Sequence, residues 1–125
     1  MEIKAEITVS GRVQKAGFRD FVEEKAVGFG LKGFVKNMSD GTVFIVCEGE
    51  KVSIEDFAKS INVQAYPIIV RDIKIGYSET SGQFKEFDIV REDDIATATF
   101  ERMDTAARYL REMHKGLVWE YSGDA

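Results

Sequence analysis

The period of the apolar residues switches between two and helical spacing along the chain, and the order of those switches constrains the fold more than any single motif. Ile3, Ala5, Ile7 and Val9 alternate with Lys4, Glu6, Thr8 and Ser10, the pattern of a half-buried strand. Phe18, Val22, Ala26 and Phe29 then recur at helical spacing, with Gly28 and Gly30 as stop signals. Leu31 to Asn37 reads as a second strand, Ser39-Asp40-Gly41 as a hairpin turn, and Thr42 to Glu48 as the returning strand. Ile54, Phe57, Ala58 and Ile61 mark a second helix, with Ser53 as its expected N-cap and Asp56 three residues later. Tyr66-Pro67 breaks the chain, Ile73, Ile75 and Tyr77 alternate as a fourth strand, and Phe87 to Val90 is a candidate short fifth.

The order is βαββαβ. Two right-handed crossovers around a central hairpin give an α+β, ferredoxin-like sandwich, a four-stranded antiparallel sheet with both helices on one face. At 125 residues the chain suits one domain with its own core. Residues 92–125 differ in charge: eight acids stand against four bases, a net of −4 out of the chain's −5. We therefore expect a body over residues 1–91 and a C-terminal helical extension over 92–125. In that extension Phe100, Met103, Ala107, Leu110, His114 and Leu117 form a seam spaced 3, 4, 3, 4, 3, suited to docking on the body or to a homodimer.

Composition removes several classes of function. No basic stripe exists, which argues against nucleic acid as a partner. No apolar run approaches the roughly 18 residues of a membrane span, and the opening MEIKAEITVS alternates instead of forming an apolar leader. Cys47 is the single cysteine, so disulfides and cysteine metal clusters are excluded, and a cytoplasmic setting is expected. Cys47 shares a face with Val43 and Ile45 and reads as a buried, inert thiol. His114, the only histidine, has no histidine or cysteine companion and reads as structural. Glu92-Asp93-Asp94 reads as a solvated linker.

One loop carries chemistry. Gln14, Lys15, Ala16, Gly17 and Phe18 join the first strand to the first helix, where unsatisfied N–H groups and the positive helix end favour an anion such as phosphate or sulfate. Arg19 adds a guanidinium fork that matches phosphate oxygens. Asn37, at the end of the second strand, projects toward the same rim, where an amide can hold a water. Gln14 either braces the loop through hydrogen bonds or lies exposed, and Asn37 has the alternative of capping the Ser39-Asp40-Gly41 turn.

The run Val9-Ser10-Gly11-Arg12-Val13-Gln14-Lys15-Ala16-Gly17-Phe18-Arg19 resembles the first signature of the acylphosphatase family. Gly33-Phe34-Val35-Lys36-Asn37, followed by Gly41-Thr42-Val43 and Gly49, resembles the second, and the resemblance covers about residues 3–91. It implies hydrolysis of acyl phosphates without a cofactor or metal. Arg19 and the backbone of residues 15–19 would bind the phosphoryl group, and Asn37 would orient the attacking water. Lys15-Ala16 departs from the family's usual Gly-Val; Lys15 either brings a further cation to the rim or points to solvent. Two other readings are a non-catalytic anion-binding or interaction module on the same fold, and a carbamoyl-phosphate-handling unit of the kind found in hydrogenase-maturation carbamoyltransferases.

A last expectation concerns the second face of the sheet. If Val43, Ile45 and Cys47 face the helices, Phe44 and Val46 face away, and Phe34 joins them from the adjacent strand. Such an apolar patch requires a cover, either the C-terminal helix or a second subunit.

Overall fold

The computed structural model describes residues 1–14 and 17–91. Lys15 and Ala16, and the expected C-terminal helix with its seam and His114, lie outside the described residues. The elements are β1 (Glu2–Arg12), α1 (Phe18–Gly28), β2 (Lys32–Asn37), β3 (Val43–Glu50), α2 (Lys51–Ile61), β4 (Gln64–Ala65), β5 (Ile68–Glu79) and β6 (Phe87–Val90).

The βαββαβ order holds, and the sheet is larger than expected. It has six strands in the order β4-β5-β1-β3-β2-β6, and it is mixed, not wholly antiparallel. The central four strands pair antiparallel as the periodicity requires, with Ile7 opposite Ile45 on one side and Ile75 on the other. The correction comes at the edges. Phe87–Val90 pairs in parallel with β2, Gly33 opposite Phe87 and Lys36 opposite Val90, and the two-residue β4 pairs antiparallel with the start of β5. A parallel neighbour needs a long crossover, and β3, α2 and β5 all intervene between β2 and β6.

Alternation decides the two faces. Ala5, Ile7 and Val9 from β1, Val43, Ile45 and Cys47 from β3 and Val35 from β2 join Val22 and Ala26 of α1 and Ile54, Phe57 and Ile61 of α2 in the main core. Helix α1 packs over β2 and β6, and α2 over β3 and β1. On the opposite face Phe34, Phe44 and Val46 form a second cluster with Phe84 and Val90, as the strand pattern predicts. Phe34 and Val46 are 0 % exposed and Phe44 is 4 % exposed, so these three side chains are buried. Cys47 is a buried free thiol, and burial first, then the neighbouring Glu48 charge, pushes its pKa up to about 12.

Helix boundaries follow local chemistry. α1 ends in a Schellman arrangement: the Leu31 N–H donates to the Ala26 carbonyl at 2.9 Å and the Gly30 N–H to the Val27 carbonyl at 3.0 Å. α2 starts two residues before the expected Ser53 cap. β3 runs straight into it, with extended Glu50 as the cap residue and no side-chain cap bond, so Ser53 lies inside the first turn.

One long-range carboxylate organises the second face. Glu48, on the same face as Phe44 and Val46, is 4 % exposed. It accepts hydrogen bonds from Thr80 Oγ1 (2.8 Å), the Ser81 N–H (2.9 Å), Ser81 Oγ (2.6 Å) and the Gly82 N–H (3.1 Å). These bonds fix the segment that places Phe84 against Phe34, with ring centroids 5.8 Å apart.

Candidate active site

Topology brings Gln14, Phe18, Arg19 and Asn37, described members of the predicted site, to one end of the sheet. β1 delivers its C-terminus there, α1 starts there and runs back, and antiparallel β2 returns to the same end at Asn37. Val9, Val43 and Asn37 lie in register across β1, β3 and β2, so Asn37 is about 10 Å from β1, two strand spacings. Val13 and Gln14 follow β1 at that end.

Gly11 sets the exit of the chain from β1. The register with β5 shifts between Ser10 and Gly11, a bulge that re-aims the chain as it leaves the sheet. Gly11 has φ +126°, and a Cβ there would collide with the Ile69 carbonyl oxygen and lie 2.8 Å from the Arg71 nitrogen. Both constraints call for glycine. At the far side of the loop Gly17 takes the left-handed conformation, φ 78°, as the N-cap residue of α1, and no side chain caps the helix. Among the described residues no side chain accepts from the first N–H groups of α1.

Gln14 is a brace. Its Nε2 donates to the Met38 carbonyl and to the Thr42 carbonyl, each at 2.7 Å. It ties the loop to the hairpin immediately after Asn37. That hairpin is itself closed by the Met38 N–H on the Thr42 carbonyl (2.9 Å) and the Gly41 N–H on the Met38 carbonyl (3.2 Å). The turn is capped by Asp40, whose Oδ1 accepts from the Thr42 Oγ1 at 2.7 Å and the Thr42 N–H at 3.0 Å. Those two bonds, the hydroxyl first, hold the Asp40 carboxyl below its ordinary pKa.

Asn37 therefore does not cap the turn. Its Oδ1 is buried and has no hydrogen-bond partner, and among the described residues it is the one side-chain polar atom in that condition. An orphaned buried oxygen is costly, and such an acceptor calls for a donor. The Lys36 Nζ lies 3.0 Å from the Asn37 carbonyl oxygen. Arg19, half-exposed in the first turn of α1, makes no ion pair among the described residues. Phe18 is buried, 2 % exposed, with its ring against Phe21, so only its backbone serves the loop.

The end of the sheet thus holds an uncapped helix start, an arginine and a buried amide oxygen, locked in register by Gln14. The Met38 and Thr42 carbonyls that receive Gln14 are the part that sequence reasoning missed. Nothing in residue type marks a carbonyl, and the partners stand 24 and 28 residues from Gln14.

Comparison with known proteins agrees with this geometry. The acylphosphatase family profile matches residues 5–89. The acylphosphatase of Methanocella arvoryzae is 39 % identical over 77 residues, 62 % of this chain and 88 % of that protein. The crystal structure of acylphosphatase from Bacillus subtilis superposes with a TM-score of 0.67 at 35 % identity, covering 70 % of this chain and 98 % of that one. Full-length HypF, in its phosphate- and nucleotide-bound form, gives a TM-score of 0.66 at 31 % identity, but the match covers only 12 % of HypF against 74 % of this chain. With its βαββαβ body and a family profile matched over residues 5–89, the chain belongs to the acylphosphatase family.

Proposed function

We propose that this protein hydrolyses acyl phosphates, releasing a carboxylate and inorganic phosphate. The observation that carries the reading is the buried, partnerless Oδ1 of Asn37, at the same end of the sheet as the uncapped start of α1. The helix N–H groups and Arg19 bind the phosphoryl oxygens, and Asn37 accepts a hydrogen bond from the attacking water, aiming its lone pair at phosphorus.

The water oxygen forms a bond to phosphorus as the bond from phosphorus to the acyl oxygen breaks. The bonding pair leaves with the carboxylate, and the water's proton passes to a phosphate oxygen. A carboxylate with a pKa of roughly 4–5 departs without a general acid. The protein has to supply position and to stabilise charge on the transferred group, and these two effects dominate phosphoryl transfer. No step in this scheme calls on a metal or a cofactor. The family relationship supports the substrate class. Coverage of nearly nine-tenths of an acylphosphatase, against a small fraction of HypF, favours this reading over a carbamoyl-phosphate-handling unit.

The test is release of benzoate from benzoyl phosphate without added metal. Arg19→Ala and Asn37→Ala should each lower kcat/KM by about 10²-fold or more, the scale of losing one preorganised donor or acceptor. A wild type that binds phosphate without turning the substrate over would replace this reading with that of an anion-binding module.

A further inference from the structure

We propose that residues 98–112 of this same chain dock as one amphipathic helix on the apolar half of the second sheet face. The apolar side chains on that face gather on one half. The half formed by β5 and β1 presents polar groups, Lys74 and Ser78 beside Lys4, Glu6 and Thr8, by the alternation and register of those strands. The half formed by β3, β2 and β6 presents Phe44, Val46, Phe34 and Val90, with Phe84 against them and with Glu48, Lys36 and Asp88 as the polar members of the same strands.

The apolar half is deeply buried, with Phe34 and Val46 at 0 % exposure and Val90 at 1 %. Among the described residues, Phe84 and the partly buried Met38 are the hydrophobic side chains that pack against these four from outside the strands. Residues 80–82, held by Glu48, add cover at one end of the patch, and the burial of the rest of a patch three strands wide calls for a further layer.

Dimensions select the occupant. From β3 across β2 to β6 is two strand spacings, about 10 Å, which is the diameter of a single α-helix with its side chains. The seam Phe100, Met103, Ala107 and Leu110 spans about 15 Å along a helix axis, comparable with the length of β2. Connectivity selects it again. The described chain ends at Arg91, directly after Val90, on the edge strand bordering this patch. The intervening residues 92–97 reach up to about 20 Å when extended, enough to turn the chain back over the face. A second copy would have to find the same patch against a tethered competitor of high effective concentration.

The experiment uses the full chain. Hydrogen exchange should show residues 98–112 protected, and Met103→Asp combined with Leu110→Asp should lower that protection by at least about tenfold. Exchange in 87–90 should quicken while the β1 and β5 amides keep their rates. Arg108→Asp, off the seam, should change neither. Because the double variant could fail to fold, the wild type gives a second readout, nuclear Overhauser contacts between the Met103 methyl and Val46 or Phe44. Their presence within one chain, at the mass of a monomer by light scattering, supports the proposal. Unprotected amides over 98–112, or contacts that appear only between labelled and unlabelled chains, overturn it.

Discussion

Replacing Gln14 by glutamate tests the brace with almost no change in shape. The native amide donates to two carbonyls at 2.7 Å. Each carbonyl has a second donor, the Gly41 N–H for Met38 and the Met38 N–H for Thr42, so neither is orphaned when Gln14 is lost. Gln14→Ala should therefore cost about 1–2 kcal/mol, two neutral hydrogen bonds at the modest end of their range. Gln14→Glu should be worse at neutral pH. A carboxylate has no proton to offer and would face two carbonyl oxygens in a partly buried site, adding about 1–3 kcal/mol.

The same contact fixes the pH dependence. Repulsion from the carbonyls raises the new carboxyl's pKa in the folded state above its unfolded value of about 4.3. The folded state then binds more protons, and stability falls as pH rises through that value. Urea denaturation should place Gln14→Glu below Gln14→Ala at neutral pH and level with or above it in acid, where the protonated carboxyl regains one donor, with m unchanged throughout. Catalytic efficiency on benzoyl phosphate should fall with the loss of register between loop and hairpin, by about tenfold. Equal stability of the two variants at every pH would mean that the side chain is not held between those carbonyls and that Gln14 is no brace.

Away from the loop, burial alone would raise the pKa of Glu48, but the bonds from Ser81, Thr80 and Gly82 outweigh it and hold the carboxyl below its ordinary value. Its contribution should be present above about pH 4.3 and vanish as pH falls through the depressed folded pKa. Glu48→Gln should accordingly cost about 2 kcal/mol at neutral pH and converge with wild type in acid denaturation curves. Gly11→Ala should cost about 3 kcal/mol, since strain at a positive φ adds to a collision with backbone of β5; thermal unfolding close to wild type would show that the bulge can relax.

Much of this molecule is legible in its residues because burial on one face writes a period into the chain. β1 and β3 are plain in Ile3 to Val9 and Val43 to Cys47, and alternation divides the two apolar sets of β3 between the two faces as the structure has them. The edges are not legible, for the opposite reason. Gln64 and Ala65 are exposed and form a strand only by pairing with Ile69 and Ile68, and no pattern in Phe87–Val90 says that its partner is β2 in parallel. Ser53 misleads about the start of α2 because Glu50 passes directly from strand to helix, leaving no loop for such a cap to terminate. At the site, Asn37 is legible from its place at the end of the second strand and from the family resemblance, whereas the brace by Gln14 and the clamp by Glu48 connect residues 24 to 34 positions apart. Long-range polar pairs of that kind leave no periodic trace.

The unequal edges of the sheet bear on how this protein behaves in concentrated solution. On one side β6 occupies the hydrogen-bonding edge of β2 and stops after four residues, so little backbone is left there to template another strand. On the other side β4 covers only the beginning of β5, and among the described residues the outer edge of β5 beyond Val70 has no strand beside it. That stretch carries exposed Arg71, Asp72 and Lys74, charges that an incoming strand would have to desolvate before pairing. Neutralising those three side chains together would leave the fold intact and turn a guarded border into a growth point for cross-strand aggregates.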